Sequence, residues 1–258
     1  MNYLDLSGKT ALVLGVANRW SIAYAIAAIL QQHGVRLAVT YQNERIGDEV
    51  RKLTGDWPHV VALPCELTDD AQVDSLFERL KAELGHLNYL VHCIAFAERA
   101  DLQGAFRNIS RQGFHTAMDI SAYSLVAVAQ RAASLMPAGD ASMLTLTYMA
   151  SERVVPNYNV MALAKAALEN SVRYLAGDLG PQGIRVNAIS AGPVRTASAR
   201  AITGFTDMMK QHAEKAPLRR SITAEEVAKA ALYLCSDLAS GVTGTVHFVD
   251  AGYHILGT

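Results

Sequence analysis

Apolar residues come in short continuous runs, separated by longer stretches in which they recur at helical spacing. Thr10-Ala-Leu-Val-Leu14 is the first run; Gly15 closes it, and an alanine-rich helical pattern extends from Ser21 to about His33. Arg36-Leu-Ala-Val-Thr-Tyr41, Val60-Val-Ala-Leu-Pro-Cys65 and Tyr89-Leu-Val-His-Cys-Ile94 repeat the motif, and Ser142 to Tyr148, Gly183 to Ile189 and Gly244 to Asp250 complete it. Runs this short predict strands. Asp69 with Gln72 predicts a capped helix to about Leu84, and Thr223 with Glu226 a second to about Leu234. Further helical patterns span Arg111 to Ser134 and Ala162 to about Gly177. Strands alternating with helices predict an α/β fold, with a seven-stranded parallel sheet covered on both faces.

Composition narrows what such a sheet serves. The chain has 258 residues, 51% of them hydrophobic and 18% charged, enough for one sizeable core, so a single domain over 1–258 is expected. A net charge of −1 gives no electrostatic reason to expect nucleic acid or an anionic membrane as partner. No apolar run reaches membrane-spanning length, and no basic region followed by an apolar core stands at the N-terminus. Cys65, Cys93 and Cys235 are odd in number and lie in or beside apolar segments, which reads as reduced core thiols in a cytoplasmic protein, with no metal site.

The candidate chemistry gathers between Tyr148 and Lys165. Pro156 and Asn157 separate the strand ending at Tyr148 from the following helix. With Tyr158 in the first turn, Lys165 lies nearly two turns on, on the same face and about 10 Å along the axis. An ammonium placed there favours the ionised phenol and is expected to lower its pKa, making the hydroxyl a better donor to a developing oxyanion. His92, in the fourth strand, reads as a core histidine satisfied by its neighbours.

Tyr148-x9-Tyr158-x6-Lys165, followed by Arg185-Val-Asn-Ala-Ile-Ser-Ala-Gly-Pro193, resembles the enoyl-acyl-carrier-protein reductases, which are divergent short-chain dehydrogenase/reductases. The parent family sets its tyrosine and lysine four residues apart after an upstream serine, and Tyr158 has neither. The resemblance covers essentially the whole chain. It implies a single doubly wound Rossmann domain and NADH-dependent reduction of the 2,3 double bond of enoyl thioesters on acyl carrier protein. A homotetramer is the family expectation. Carbonyl reduction of the parent type, or a non-catalytic dinucleotide sensor, are the alternatives.

The resemblance also assigns residues. Gly15-Val-Ala-Asn-Arg-Trp-Ser21-Ile22-Ala23 replaces the usual glycine motif, with Ser21 capping the helix and donating its hydroxyl to phosphate. Neutral Gln42 meets the ribose and favours NADH over NADPH, with Arg45 read as a solvated arginine; Glu66 and Leu67 hold the adenine. Ile94 and Ala95 approach the cofactor backbone-first. Val194, Arg195, Thr196, Ala197 and Ser198 form a loop over it. Tyr158 donates to the thioester oxygen, Lys165 holds the nicotinamide ribose, and Tyr148 lines the pocket as wall or proton donor, with Ala97 and Phe205 also lining it. Ile202, Phe205, Met208 and Met209, broken by Gly204, suit a substrate lid at about 196–216.

Overall fold

The structure is a computed structural model that describes residues 4–196, 199 and 203–257. Its centre is one parallel sheet of seven strands in the order β3-β2-β1-β4-β5-β6-β7. The strands are β1 (Thr10–Leu14), β2 (Arg36–Tyr41), β3 (Val61–Pro64), β4 (Tyr89–His92), β5 (Ala141–Thr147), β6 (Ile184–Ala191) and β7 (Val246–Val249). Nearly every residue of β1, β4, β5 and β6 is buried, as strands covered on both faces must be. Pro64, which cannot donate to a ladder, is tolerated because β3 is an edge strand.

The helices are α1 (Ile22–Gln32), α2 (Glu44–Thr54), α3 (Asp70–Leu84), α4 (Arg99–Leu102), α5 (Arg111–Met118), α6 (Ser124–Ala133), α7 (Asn159–Leu179), α8 (Phe205–Lys215) and α9 (Ala224–Cys235). One face of the sheet packs on α1 and α9, through Ile26, Leu30, Val227 and Leu234. The other packs on α3, α6 and α7, through Leu76, Leu80, Leu125 and Leu168. Ser21 caps α1 by accepting from the Tyr24 amide, and Thr223 and Glu226 form the full capping box of α9.

Two predicted elements differ. Asp69 caps α3, but Gln72 turns its side-chain oxygen to the Glu66 amide instead of the Asp69 amide, which already donates to the Glu66 carbonyl. The pattern from Arg111 to Ser134 is broken by a π-helical segment, Asp119–Tyr123, between α5 and α6. It widens the helix where buried Ser121 both accepts from the Phe96 amide and donates to the Phe96 carbonyl, each at 2.9 Å. Among the described residues no helix is long and apolar enough to cross a membrane.

Candidate active site

β1 pairs with β2 on one side and β4 on the other, so the chain reverses its winding there and leaves a crevice at the carboxyl ends of the strands. A cavity of about 350 Å³ occupies it, lined by Gly15 after β1, Gln42 after β2, Glu66 and Leu67 after β3, and Ile94 and Ala95 after β4. These residues span 81 positions of sequence. Gly15 has φ +89, and a Cβ there would lie 2.3 Å from the Cys93 carbonyl oxygen; only glycine lets the two turns meet.

Glu66 is held ready as an anion. Burial pushes its pKa up, but the Gln42 amide, donating at 2.8 Å, and the bonds from Thr68 outweigh that and leave it lowered. Gln42 thus spends one amide proton on Glu66 and keeps its oxygen and second proton for a ribose. The Ser21 hydroxyl donates to the Asn18 carbonyl at 2.8 Å, so reaching a phosphate requires that proton to turn. Ile22 is half-buried at the start of α1. Val194 and Thr196 are half-buried and Arg195 exposed, with the Thr196 amide donating to the Val194 carbonyl at 2.8 Å. Ala197, Ser198 and Ile202 lie outside the described residues.

Two phenols and an ammonium stand beside the crevice: Lys165 acts electrostatically on Cys93 of its lining, and Tyr158 shares an apolar cluster with Ala97, two residues beyond Ala95. β5 ends at Thr147 and delivers Tyr148 in extended conformation. The turn that follows contains Asn157 at φ +60, a left-handed conformation that asparagine tolerates, and it places Tyr158 at the cap position of α7 instead of in its first turn. The rings of Tyr148 and Tyr158 meet edge to face with centroids 5.1 Å apart. Tyr158 packs with Ala97 on the small cluster of Leu102, Val160, Met161 and Ala164. Lys165, only 5% exposed, donates from Nζ to the Leu146 carbonyl at 2.7 Å, and burial brings its pKa down to about 8 against the opposing pull of Cys93 and Glu169.

The expected acidification of Tyr158 is not what the structure shows. Its pKa is raised, first by burial and then by neighbouring Tyr148, and Lys165 does not counter this because its ammonium is turned toward the β5 backbone. Tyr148 is pushed up to about 12, again mainly by burial. Both phenols are neutral donors. His92 bonds to Thr145 and Ser124 hydroxyls, each at 2.9 Å, and burial takes its pKa down to about 3, so it is a satisfied core residue.

Phe205 opens α8 half-buried. The helix reaches the site through Met208, whose sulfur accepts from the Tyr148 hydroxyl at 3.6 Å, and through His212 one turn further on. Helical spacing from Phe205 through Met208 to His212 was the signal for His212, which a reading for apolar residues alone passes over. Before α8, Asn157 donates to the Thr203 carbonyl at 3.0 Å and Gln103 to the Thr203 hydroxyl at 2.7 Å, clasping the start of that segment.

A doubly wound sheet with a crevice at its switch point, and two neutral phenols and a buried ammonium beside it, defines a dinucleotide-dependent oxidoreductase. Residues 15–254 match the enoyl-(acyl carrier protein) reductase family. The enoyl-[acyl-carrier-protein] reductase [NADH] of Bacillus cereus is 52% identical over 98% of this chain and 99% of its own. That of Bacillus subtilis is 47% identical over 99% of each. The crystal structure of the Bacillus cereus enzyme with NADP+ and indole naphthyridinone superposes with a TM-score of 0.95 at 51% identity, covering 98% of this chain and 99% of that one. The Anaplasma phagocytophilum reductase in complex with NAD gives 0.94 at 44% identity, covering 99% and 97%. The chain belongs to the enoyl-acyl-carrier-protein reductase family.

Proposed function

We propose that this chain reduces the 2,3 double bond of an enoyl thioester carried on acyl carrier protein, using NADH, in type II fatty-acid elongation. The observation that carries the mechanism is the edge-to-face pair of Tyr148 and Tyr158, with Tyr158 packed on the cluster that Ala97 joins just past the crevice. NADH, when bound, supplies the hydride. The residues fit it: the crevice has the glycine turn, the Gln42 and Glu66 acceptors and the capped start of α1 that a dinucleotide needs.

Reduction at the β-carbon drives charge onto the thioester oxygen, and the enzyme must favour that enolate over the starting carbonyl. Tyr158, neutral because it is buried, points a hydroxyl donor at the oxygen. Lys165, with one proton committed to Leu146, holds the nicotinamide ribose with its remaining donors and keeps positive charge near the site. Tyr148 closes the thioester end, and Ala97 and Phe205 line the acyl path. The cofactor loop is Val194 to Ser198, and α8 with the segment before it is the lid. Following NADH oxidation with crotonyl and acetoacetyl thioesters side by side tests the reading: crotonyl is consumed, acetoacetyl is not.

NADH is the preferred cofactor, since Gln42 is neutral and Glu66 is an anion beside it. We also infer a homotetramer, supported by Phe114, Tyr123, Leu163 and Tyr174 standing exposed on α5, the π segment and α7. Light scattering on the purified chain tests it. Three free cysteines, two buried and one half-buried, support a cytoplasmic setting.

A further inference from the structure

We propose that Glu169 is a positioning residue for the reduction: its buried carboxylate fixes the end of β5 that delivers Tyr148 and supplies the counter-charge to the Lys165 ammonium. The inference rests on the reading above that Lys165 holds the nicotinamide ribose and Tyr148 stands at the thioester end. Glu169 is 3% exposed, on the face of α7 that also carries Leu168, Val172 and Ala176 into the core. Acidic side chains are rarely that buried unless they are paired, because desolvating a carboxylate is costly.

Its partners point to the strand and not to solvent. The Thr147 hydroxyl donates to Oε1 at 2.7 Å in the interior, whereas Arg173 reaches Oε2 only at 4.0 Å, with half its side chain exposed. An ion pair that long and that open is screened and contributes little. Thr147 ends β5, and its pair with Ser190 is the last of the register with β6, so the ladder stops one residue short of Tyr148. There α7 takes over: Lys165 donates to the Leu146 carbonyl, and Glu169, one turn further on, accepts from Thr147. Two consecutive residues of β5 are thus gripped by side chains from adjacent turns of one helix face.

The second task is electrostatic. Lys165 and Glu169 stand four residues apart on α7, and each turns its polar end to β5, so they act on one another through space. Lysine ahead of glutamate is the less favourable order for a helix, so stabilising α7 does not explain the pair. Three titratable groups face the ammonium: Glu169 from its own helix, and His92 and Cys93 from the end of β4. Burial pushes the Cys93 thiol up to about 12 and takes the His92 imidazole down to about 3, so neither carries charge near neutrality. That leaves the Glu169 carboxylate as the anion opposing the desolvation of Lys165.

Glu169→Gln keeps the length of the side chain and an oxygen for Thr147 but removes the charge, and Glu169→Asp keeps the charge. NADH dissociation constants between about pH 6 and about pH 9, with kcat on a crotonyl thioester, read the effect. Glu169→Gln should match the wild type at about pH 6 and bind NADH about twofold or more weakly at about pH 8, its midpoint lowered by about half a unit or more. Glu169→Asp should recover the wild-type midpoint. An unmoved midpoint in Glu169→Gln overturns the counter-charge, and so does equal weakening at both pH values, which makes Glu169 a packing residue. Thr147→Val tests the anchor: kcat should fall about threefold or more with NADH affinity unchanged at about pH 6, and Thr147→Ser, which retains the hydroxyl, should recover it. Wild-type kcat in Thr147→Val, or equal loss in both Thr147 variants, overturns the anchor. Should Glu169→Gln not fold, the Thr147 pair decides. Wild-type protein that leaves NADH unoxidised overturns the reductase reading, and one whose NADH affinity is flat through about pH 8 overturns the role of Lys165; a failure confined to the variants bears on Glu169 alone.

Discussion

Lys165 donates from Nζ to the carbonyl of Leu146, two residues ahead of Tyr148, so one proton of the ammonium ties α7 to the end of β5. The bond fixes the cation beneath the site while leaving it two donors. Lys165 and Tyr158 therefore do different work although they share a helix.

Tyr158→Phe removes a donor that matters only once charge reaches the thioester oxygen. We expect kcat to fall by less than the roughly 3 kcal/mol that loss of an oxyanion donor costs, because an enolate conjugated to a thioester is delocalised, with NADH affinity unchanged. Lys165→Ala weakens NADH binding and turnover together, since the ribose loses a charged donor. NADH dissociation constants for the two variants check this, and the reverse pattern means the roles are exchanged.

Burial brings the Lys165 pKa from its ordinary 10.5 to about 8, so the ammonium is present below about pH 8 and lost above it. NADH affinity should weaken as pH rises through about 8 in the wild type and stay flat in Lys165→Met. The sign for stability is opposite. Between about 8 and 10.5 the unfolded chain binds more protons than the folded one, so this group's contribution to stability rises with pH across that window. Denaturant titrations at several pH values, compared with Lys165→Met, measure it.

Cofactor choice follows from Gln42 donating to Glu66. A 2′-phosphate would sit near an anion, so NADH should give the higher kcat/KM, and Glu66→Gln should narrow the gap. A preference for NADPH of tenfold, about 1.4 kcal/mol, would instead make Arg45 its reader.

In α8 only His212 is buried, which leaves the helix lightly anchored beyond the clasp on Thr203. Amide exchange across Phe205–Lys215 should be fast without ligand and slow with NADH plus a substrate analogue. Equal protection in both states would make α8 a fixed wall.

Gly15→Ala should abolish NADH binding and destabilise the fold by about 2 kcal/mol or more, because it combines a left-handed φ with a clash against the Cys93 carbonyl. Thermal unfolding and a cofactor titration report the two effects separately.

The strands and the tyrosine–lysine pair are legible from residue order alone. Strand bounds in β1 and β2 match the apolar runs residue for residue, since a strand buried on both faces leaves no choice of which positions are apolar. The spacing of Tyr158 and Lys165 likewise set both in the N-terminal part of α7, although Tyr158 stands at the cap and not in the first turn. What each side chain does there depends on neighbours that are distant along the chain. Contact between Tyr148 and Met208 crosses 60 residues, and that between Phe96 and Ser121 crosses 25 through a π segment that no periodicity announces. The direction of the Lys165 ammonium and the raised pKa of Tyr158 depend on which groups folding brings near and how much water it removes. Local pattern encodes neither, since both are properties of the space between elements.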